Sequence, residues 1–149
     1  MRVTNSPATR TIVSKSELPF VNNKIARKAY IKAGSDYPAT WITYLPQTFR
    51  ERESRVGKIN YADPDERAKL VIEGVADLLK SWEFDVPENL KSQTPEPSKE
   101  MVEKLSPMLG GRFTAIILFG HDGGDVDPRS SETEPPEPPI IADEKAAKN

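Results

Sequence analysis

The stretch Ala62 to Asp85, ADPDERAKLVIEGVADLLKSWEFD, constrains this chain more than any other. It is the longest run with a single clear period. Ala68, Val71, Ile72, Val75, Leu78, Leu79 and Trp82 recur at helical spacing and set an apolar stripe on one face. Arg67, Lys69, Glu73, Asp77 and Lys80 fall mostly on the other face. The start is well signalled. Asp63 is a capping residue, and Pro64 suits the first helical position, where its missing N–H is not needed. Asp65 and Glu66 place negative charge beside the positive end of the helix dipole. Gly74 weakens such a helix by about 1 kcal/mol relative to Ala, so another backbone is expected to approach closely there. Pro87 prevents helix much beyond Asp85, because the residue before a proline disfavours helical angles. The expectation is a core helix that runs to an aromatic anchor at Trp82.

The rest of the chain has less to bury. It has 149 residues, 36% hydrophobic and 30% charged, which fits one domain with a modest core and tails. Fourteen prolines are about twice the average usage, and they cluster late. Cysteine is absent, which removes disulfides and thiolate metal sites and is compatible with a reducing compartment. The longest apolar run, Ala115 to Phe119, is far short of a membrane span. The N-terminal MRVTNSPATRTIV lacks the apolar run of a secretory signal. Charge is unevenly spread. Residues 1–63 carry eleven Lys/Arg against five Asp/Glu, residues 64–121 seven against ten, and residues 122–149 three against eight. That asymmetry suits a partner with its own charge pattern, or contact between the two ends.

Residues 1–20 read as a flexible arm, with a short strand possible around Thr11 to Val13. Residues 21–33 have two readings. NKIARKAYIKAG has helical apolar spacing with Gly34 as its C-terminal cap. The alternative is an extended segment over Ala29 to Ala33, turning at Gly34-Ser35-Asp36 and pairing antiparallel with a strand at 38–45. That second strand alternates, with Trp41, Thr43 and Leu45 on one side. Thr48 and Glu51 have capping-box spacing for a short charged helix over 46–58, on which Phe49, Arg52 and Val56 share a face. Its charges, Arg50 to Arg55, read as a solvated surface. Residues 86–97 form a linker with three prolines. Ser98 caps a helix carrying Met101, Val102 and Leu105. Ser106-Pro107 restarts helix, which continues over Met108 to Phe119 despite Gly110-Gly111; a buried strand over Thr114 to Phe119 is the alternative. From residue 121 to 149 the chain is acidic, proline-rich and nearly devoid of apolar residues, so disorder is expected, with Ile140-Ile141 as a small docking point. The fold class is therefore α+β and mostly helical. A small β-hairpin would be followed by three or four short helices in one domain over 21–120.

Chemistry is sparsely encoded. A single histidine argues against a hydrolytic triad or a multi-histidine metal site. His121, Asp122, Asp125 and Asp127 lie among glycines, but their spacing is not that of a calcium-binding loop. The glycine pairs lack the Gly-Lys-Ser/Thr of a phosphate loop. Lys24, Arg27, Lys28 and Lys32, with Tyr30 among them, make a basic patch able to touch phosphates. It carries no named nucleic-acid-binding motif, and an ordinary basic surface explains it as well. Glu73 and Asp77 stand one helical turn apart without the cleft that a pair of catalytic acids needs. No metal, cofactor or catalytic residue is expected.

One resemblance sharpens this reading. WITYLPQTFRERE is similar to a strand, Pro-x-Thr and charged helix found in tail assembly chaperones of long-tailed bacteriophages. VIEGVADLLKSWEFD is similar to that family's helix ending at a Trp followed by acidic residues. VPENLKSQTPEPSKEMVEKLSPMLGGRFTAII is similar to its Pro-Glu-Asn-Leu linker and closing Leu-x-Pro helical segment. The resemblance covers about residues 38–119. It implies a non-enzymatic protein that binds the tape-measure protein or recruits tail-tube subunits. Such a protein acts in the cytoplasm of the infected bacterium and is absent from the finished particle. Val75, Leu78, Leu79, Trp82 and Phe84 then form the expected client-binding edge, and self-association is a further option. No membrane contact is expected. Many members of the family are made in short and frameshifted long forms. Ala147-Lys148-Asn149 can be encoded by a slippery A-AAA-AAY heptamer, which would make this chain the short form. The other classes that fit are a minor head or head–tail joining component of the particle, and a small nucleic-acid-binding regulator.

Overall fold

The computed structural model describes residues 18–129. β1 (Arg27–Ile31) and β2 (Thr40–Tyr44) form an antiparallel hairpin in which Ala29 faces Ile42 and Tyr30 faces Trp41. The extended reading, expected over Ala29 to Ala33, thus holds two residues earlier, at Arg27–Ile31, and the helical one does not, because the ladder with β2 satisfies the backbone there. α1 (Phe49–Tyr61) follows β2 and opens on the expected capping box: Thr48 Oγ1 accepts from the Glu51 amide, and the Glu51 carboxylate accepts from the Thr48 amide. α2 (Pro64–Leu78) begins as its sequence dictates, with the Asp63 side chain accepting from the Glu66 amide and Pro64 at the first turn. Arg67 reaches back to the Ile59 and Ala62 carbonyls and so satisfies the end of α1.

The expected run of helix to Trp82 is wrong by a turn. α2 stops at Leu78, and Leu79–Phe84 is a third strand, β3, antiparallel to β2 on the side away from β1. The cause is a β-bulge. Ser81 pairs with Thr43 and Leu79 with Tyr44, so Lys80 is the extra residue. The bulge puts Leu79 on the same sheet face as Trp82, three residues away. A spacing of three on one face is what a helix would also produce, so the stripe mimics helix through a strand.

Three short helices follow β3: α3 (Glu88–Lys91), α4 (Lys99–Glu103) and α5 (Pro107–Phe113). Ser98 and Ser106 cap α4 and α5 as expected, accepting from the amides of Met101 and Leu109. α5 runs on into a π-helical segment, Thr114–Phe119, ended by Gly120 in the left-handed region. The helical reading of 108–119 therefore holds over the strand alternative. Its last carbonyls are held by α1 and the turn before it: Gln47 Nε2 donates to the oxygens of Ile117 and Leu118, and Arg52 donates to Phe119.

The core lies between the inner face of the sheet (Ile31, Ile42, Tyr44, Leu79) and the helices (Val75, Phe113, Leu118). Thr40, Ile42 and Tyr44 are the buried side of β2; Trp41 and Thr43 point outward. Gly74 is tight, but the neighbours are side chains of Leu118 and Arg55 and not a second backbone as its position suggested. The α+β class is as expected, with one strand more than the hairpin and more helical segments than foreseen.

Candidate interaction surfaces

Residues 121–129 do not fade into disorder. They form a strap that leaves the π-helical segment, pairs with the edge strand β1 and crosses the outer face of the sheet. The Asp125 amide donates to the Tyr30 carbonyl, and the Lys32 amide donates to Asp125 Oδ2. Arg112 bonds both Asp122 and Asp125, at 3.0 and 3.3 Å. Trp41 Nε1 donates to Asp127 at 3.0 Å. The Arg129 guanidinium lies 3.5 Å above the Trp41 ring and forks onto both oxygens of Glu83. That bond holds the Glu83 carboxyl below the usual carboxylate range. Gly124 has φ +93°, and a Cβ there would sit 2.8 Å from the Tyr30 carbonyl oxygen. The signal present in the sequence is two aspartate-led turns, Asp122-Gly123-Gly124 and Asp127-Pro128-Arg129, which the acidic, proline-rich composition of 121–149 obscures. The remainder of that expected tail, with Ile140-Ile141, and residues 1–17 of the arm lie outside the described residues.

The strap changes the meaning of two sequence features. Asp122, Asp125 and Asp127 are engaged by Arg112 and Trp41, and among the described residues no acidic or histidine cluster is arranged for a metal ion. Of the basic patch, Lys24 precedes β1, Lys28 is exposed on it, Lys32 follows it with its amide on Asp125, and Arg27 turns to the opposite face near Tyr44 and His121. The four cations do not share one surface. His121 stacks on Phe119 at 5.7 Å between centroids, and among the described residues its ring is hydrogen-bonded to no carboxylate or hydroxyl.

The expected client edge is divided by burial. Val75 and Leu79 are core residues at 2% and 4% exposure and offer nothing to a partner. Leu78, Trp82 and Phe84 are half-buried against that core. Trp82 packs on Phe84 and Phe113, with centroids 5.4 and 6.3 Å away, and Nε1 donates to the Pro95 carbonyl. Its indole therefore pins the proline linker to β3. These residues build the fold first: of the expected client-binding edge, Val75 and Leu79 are buried and only Leu78, Trp82 and Phe84 keep part of their surface.

An unforeseen surface lies between α1 and α2. There the helices leave an open groove of about 450 Å³. Ile59, Leu70 and Gly74 form its floor. Arg50, Glu51, Ser54, Arg55 and Lys58 line the α1 wall, and Glu73 and Asp77 the α2 wall, three cations against three carboxylates. Glu73 is paired with Lys99 of α4 at 2.9 Å, which lowers its pKa, while Asp77 meets Arg55 only at 3.9 Å. The charged run Arg50–Arg55 was read as bland solvated surface; period alone did not show that one of its faces borders a cleft. Among the described residues no helix is long and apolar enough to cross a membrane. No protein-family model, curated protein or solved structure matches the chain.

Proposed function

We propose that this protein is a non-enzymatic assembly chaperone of a long-tailed bacteriophage, binding the tape-measure protein or tail-tube subunits while the tail is built. The observation that carries the reading is the order of pieces over residues 38–119: a strand, Pro46-Gln47-Thr48, a charged helix, a second helix, Trp82, Pro87-Glu88-Asn89-Leu90 and a helix opened by Pro107. Three features are compatible with a binding role. The carboxylates around the strap are tied to arginine and tryptophan. The lone histidine is stacked on an aromatic ring. The α1–α2 groove has charged walls of both signs over a largely buried floor, a surface open to another protein.

The test is mass spectrometry of purified particles beside affinity capture from infected cells. The tape-measure protein should be captured with this chain, and the chain should be missing from finished particles. Stoichiometric presence in particles would instead make it a structural component.

A further inference from the structure

The two edges of the sheet are finished differently. Along β1 the strap closes the edge: the Tyr30 carbonyl accepts from the Asp125 amide, and the Lys32 amide donates to the Asp125 carboxylate. Tyr30 thus turns its backbone groups away from β2. Trp41, which faces Tyr30, then turns its own toward β3 and exchanges them with Glu83. Two residues on, the Asp85 amide likewise donates to the Ala39 carbonyl. By that alternation Trp82 and Phe84 direct their backbone groups outward, away from β2. The Phe84 carbonyl is taken by the Val86 amide. Trp82 keeps both an amide and a carbonyl on the outer edge, and among the described residues no backbone bond from α3 or the proline linker reaches them. An edge with unpaired backbone groups is a template for another strand. The bulge at Lys80 blunts only its start, because Ser81 to Phe84 stay in register with β2.

Charge decides which strand fits. The exposed cation of β3, Lys80, stands at its N-terminal end, and the exposed carboxylates Glu83 and Asp85 stand at and just beyond its C-terminal end. A second β3 laid antiparallel brings the cation of each strand to the carboxylates of the other, whereas a parallel one sets like charges together. A two-fold interface uses the same patch twice, so it needs a strand complementary to its own reverse, and β3 is one. We propose that this protein pairs with a second copy of itself through β3, two three-stranded sheets joining into one. Trp82 exchanges its amide and carbonyl with the partner's Trp82. Ser81 then stands opposite the partner's Glu83, and Lys80 lies between the partner's Glu83 and the partner's Asp85. The pairing also covers more of the rim where Trp82 and Phe84 are half-buried in the single chain. It is independent of the assembly role.

The chain contains no cysteine, so engineered thiols report on this contact alone. Full-length Ser81→Cys and full-length Glu83→Cys are mixed and oxidised. The mixture should crosslink about tenfold faster than either variant alone, because a disulfide needs directly opposed strand positions and neither residue is opposed to itself. At neutral pH and low salt, sedimentation of the native chain should show a dimer. Lys80→Glu should weaken it about tenfold, and Lys80→Glu with Asp85→Lys should recover it. Lys80, Ser81, Glu83 and Asp85 are all exposed, so circular dichroism should show each variant folded. A native chain that sediments as a monomer at every concentration overturns the proposal and leaves the edge to a strand of another protein. Crosslinking as fast within one variant as between the two overturns it as well, as does a Lys80→Glu dimer of native strength.

Discussion

At the level of single residues, Trp82 shows how burial changes a role. Its ring touches Phe113 and Phe84 while its N–H holds Pro95, so one side chain joins core, sheet and linker. Trp82→Ala should lower stability by roughly 2–3 kcal/mol in denaturant unfolding, less than the 3–5 of a fully buried tryptophan, because the indole is only half covered. Trp82→Phe keeps the packing and loses the hydrogen bond, at about 1 kcal/mol. Gly124 is the second such position. Its φ of +93° and its closeness to the Tyr30 carbonyl leave no room for a side chain. Gly124→Ala should cost roughly 1–3 kcal/mol of strain. The loss should appear first as a change in Trp41 emission, since Trp41 lies under the strap. An unchanged emission with unchanged stability would mean that the strap tolerates Cβ there.

At the level of elements, helix starts were legible and one helix end was not. Thr48, Asp63, Ser98 and Ser106 all cap as their side chains predict, because a cap is a local hydrogen bond between residues three apart. Thr48→Ala should therefore lower stability by about 1 kcal/mol, read as a drop in denaturation midpoint, with Thr48→Ser restoring most of it. The switch from α2 to β3 lies at Leu79, where nothing local forbids helix. Pairing with Thr40–Tyr44 decides it, and the bulge at Lys80 keeps the apolar residues inward. The strap is likewise a tertiary element. Its hold on the sheet comes from Arg112, Trp41 and Glu83, residues 10 to 86 positions away from their partners. Arg129→Ala should leave the melting temperature nearly unchanged, as expected for an exposed ion pair, yet speed amide exchange over residues 125–129.

For the whole molecule, peripheral segments are tied to the core through ionised carboxylates. Glu51, bonded to the Thr48 amide and the Asn23 side chain, holds the N-terminal loop; Glu73, bonded to Lys99, holds α4; Glu83, bonded to Arg129, holds the strap. Each has a pKa lowered in the folded state. The stabilisation is thus complete above the unfolded value of about 4.3 and is lost as pH falls through the lowered one. Acidification below about pH 4 should release loop, α4 and strap in amide exchange before far-ultraviolet circular dichroism reports loss of the apolar core. Simultaneous loss would show that the periphery and core unfold as one unit. The amino-acid sequence by itself determined the caps, the α1 and α2 starts and the α+β class, since these rest on contacts within a few residues or on a short period, whereas it left residues 21–33 open between helix and strand. Only the tertiary structure decided that Leu79 to Phe84 is a strand, that an acidic stretch straps the sheet, and that α1 and α2 leave a groove between them. Each of those depends on a partner distant in the chain, and a period read along one segment carries no information about what will lie across from it.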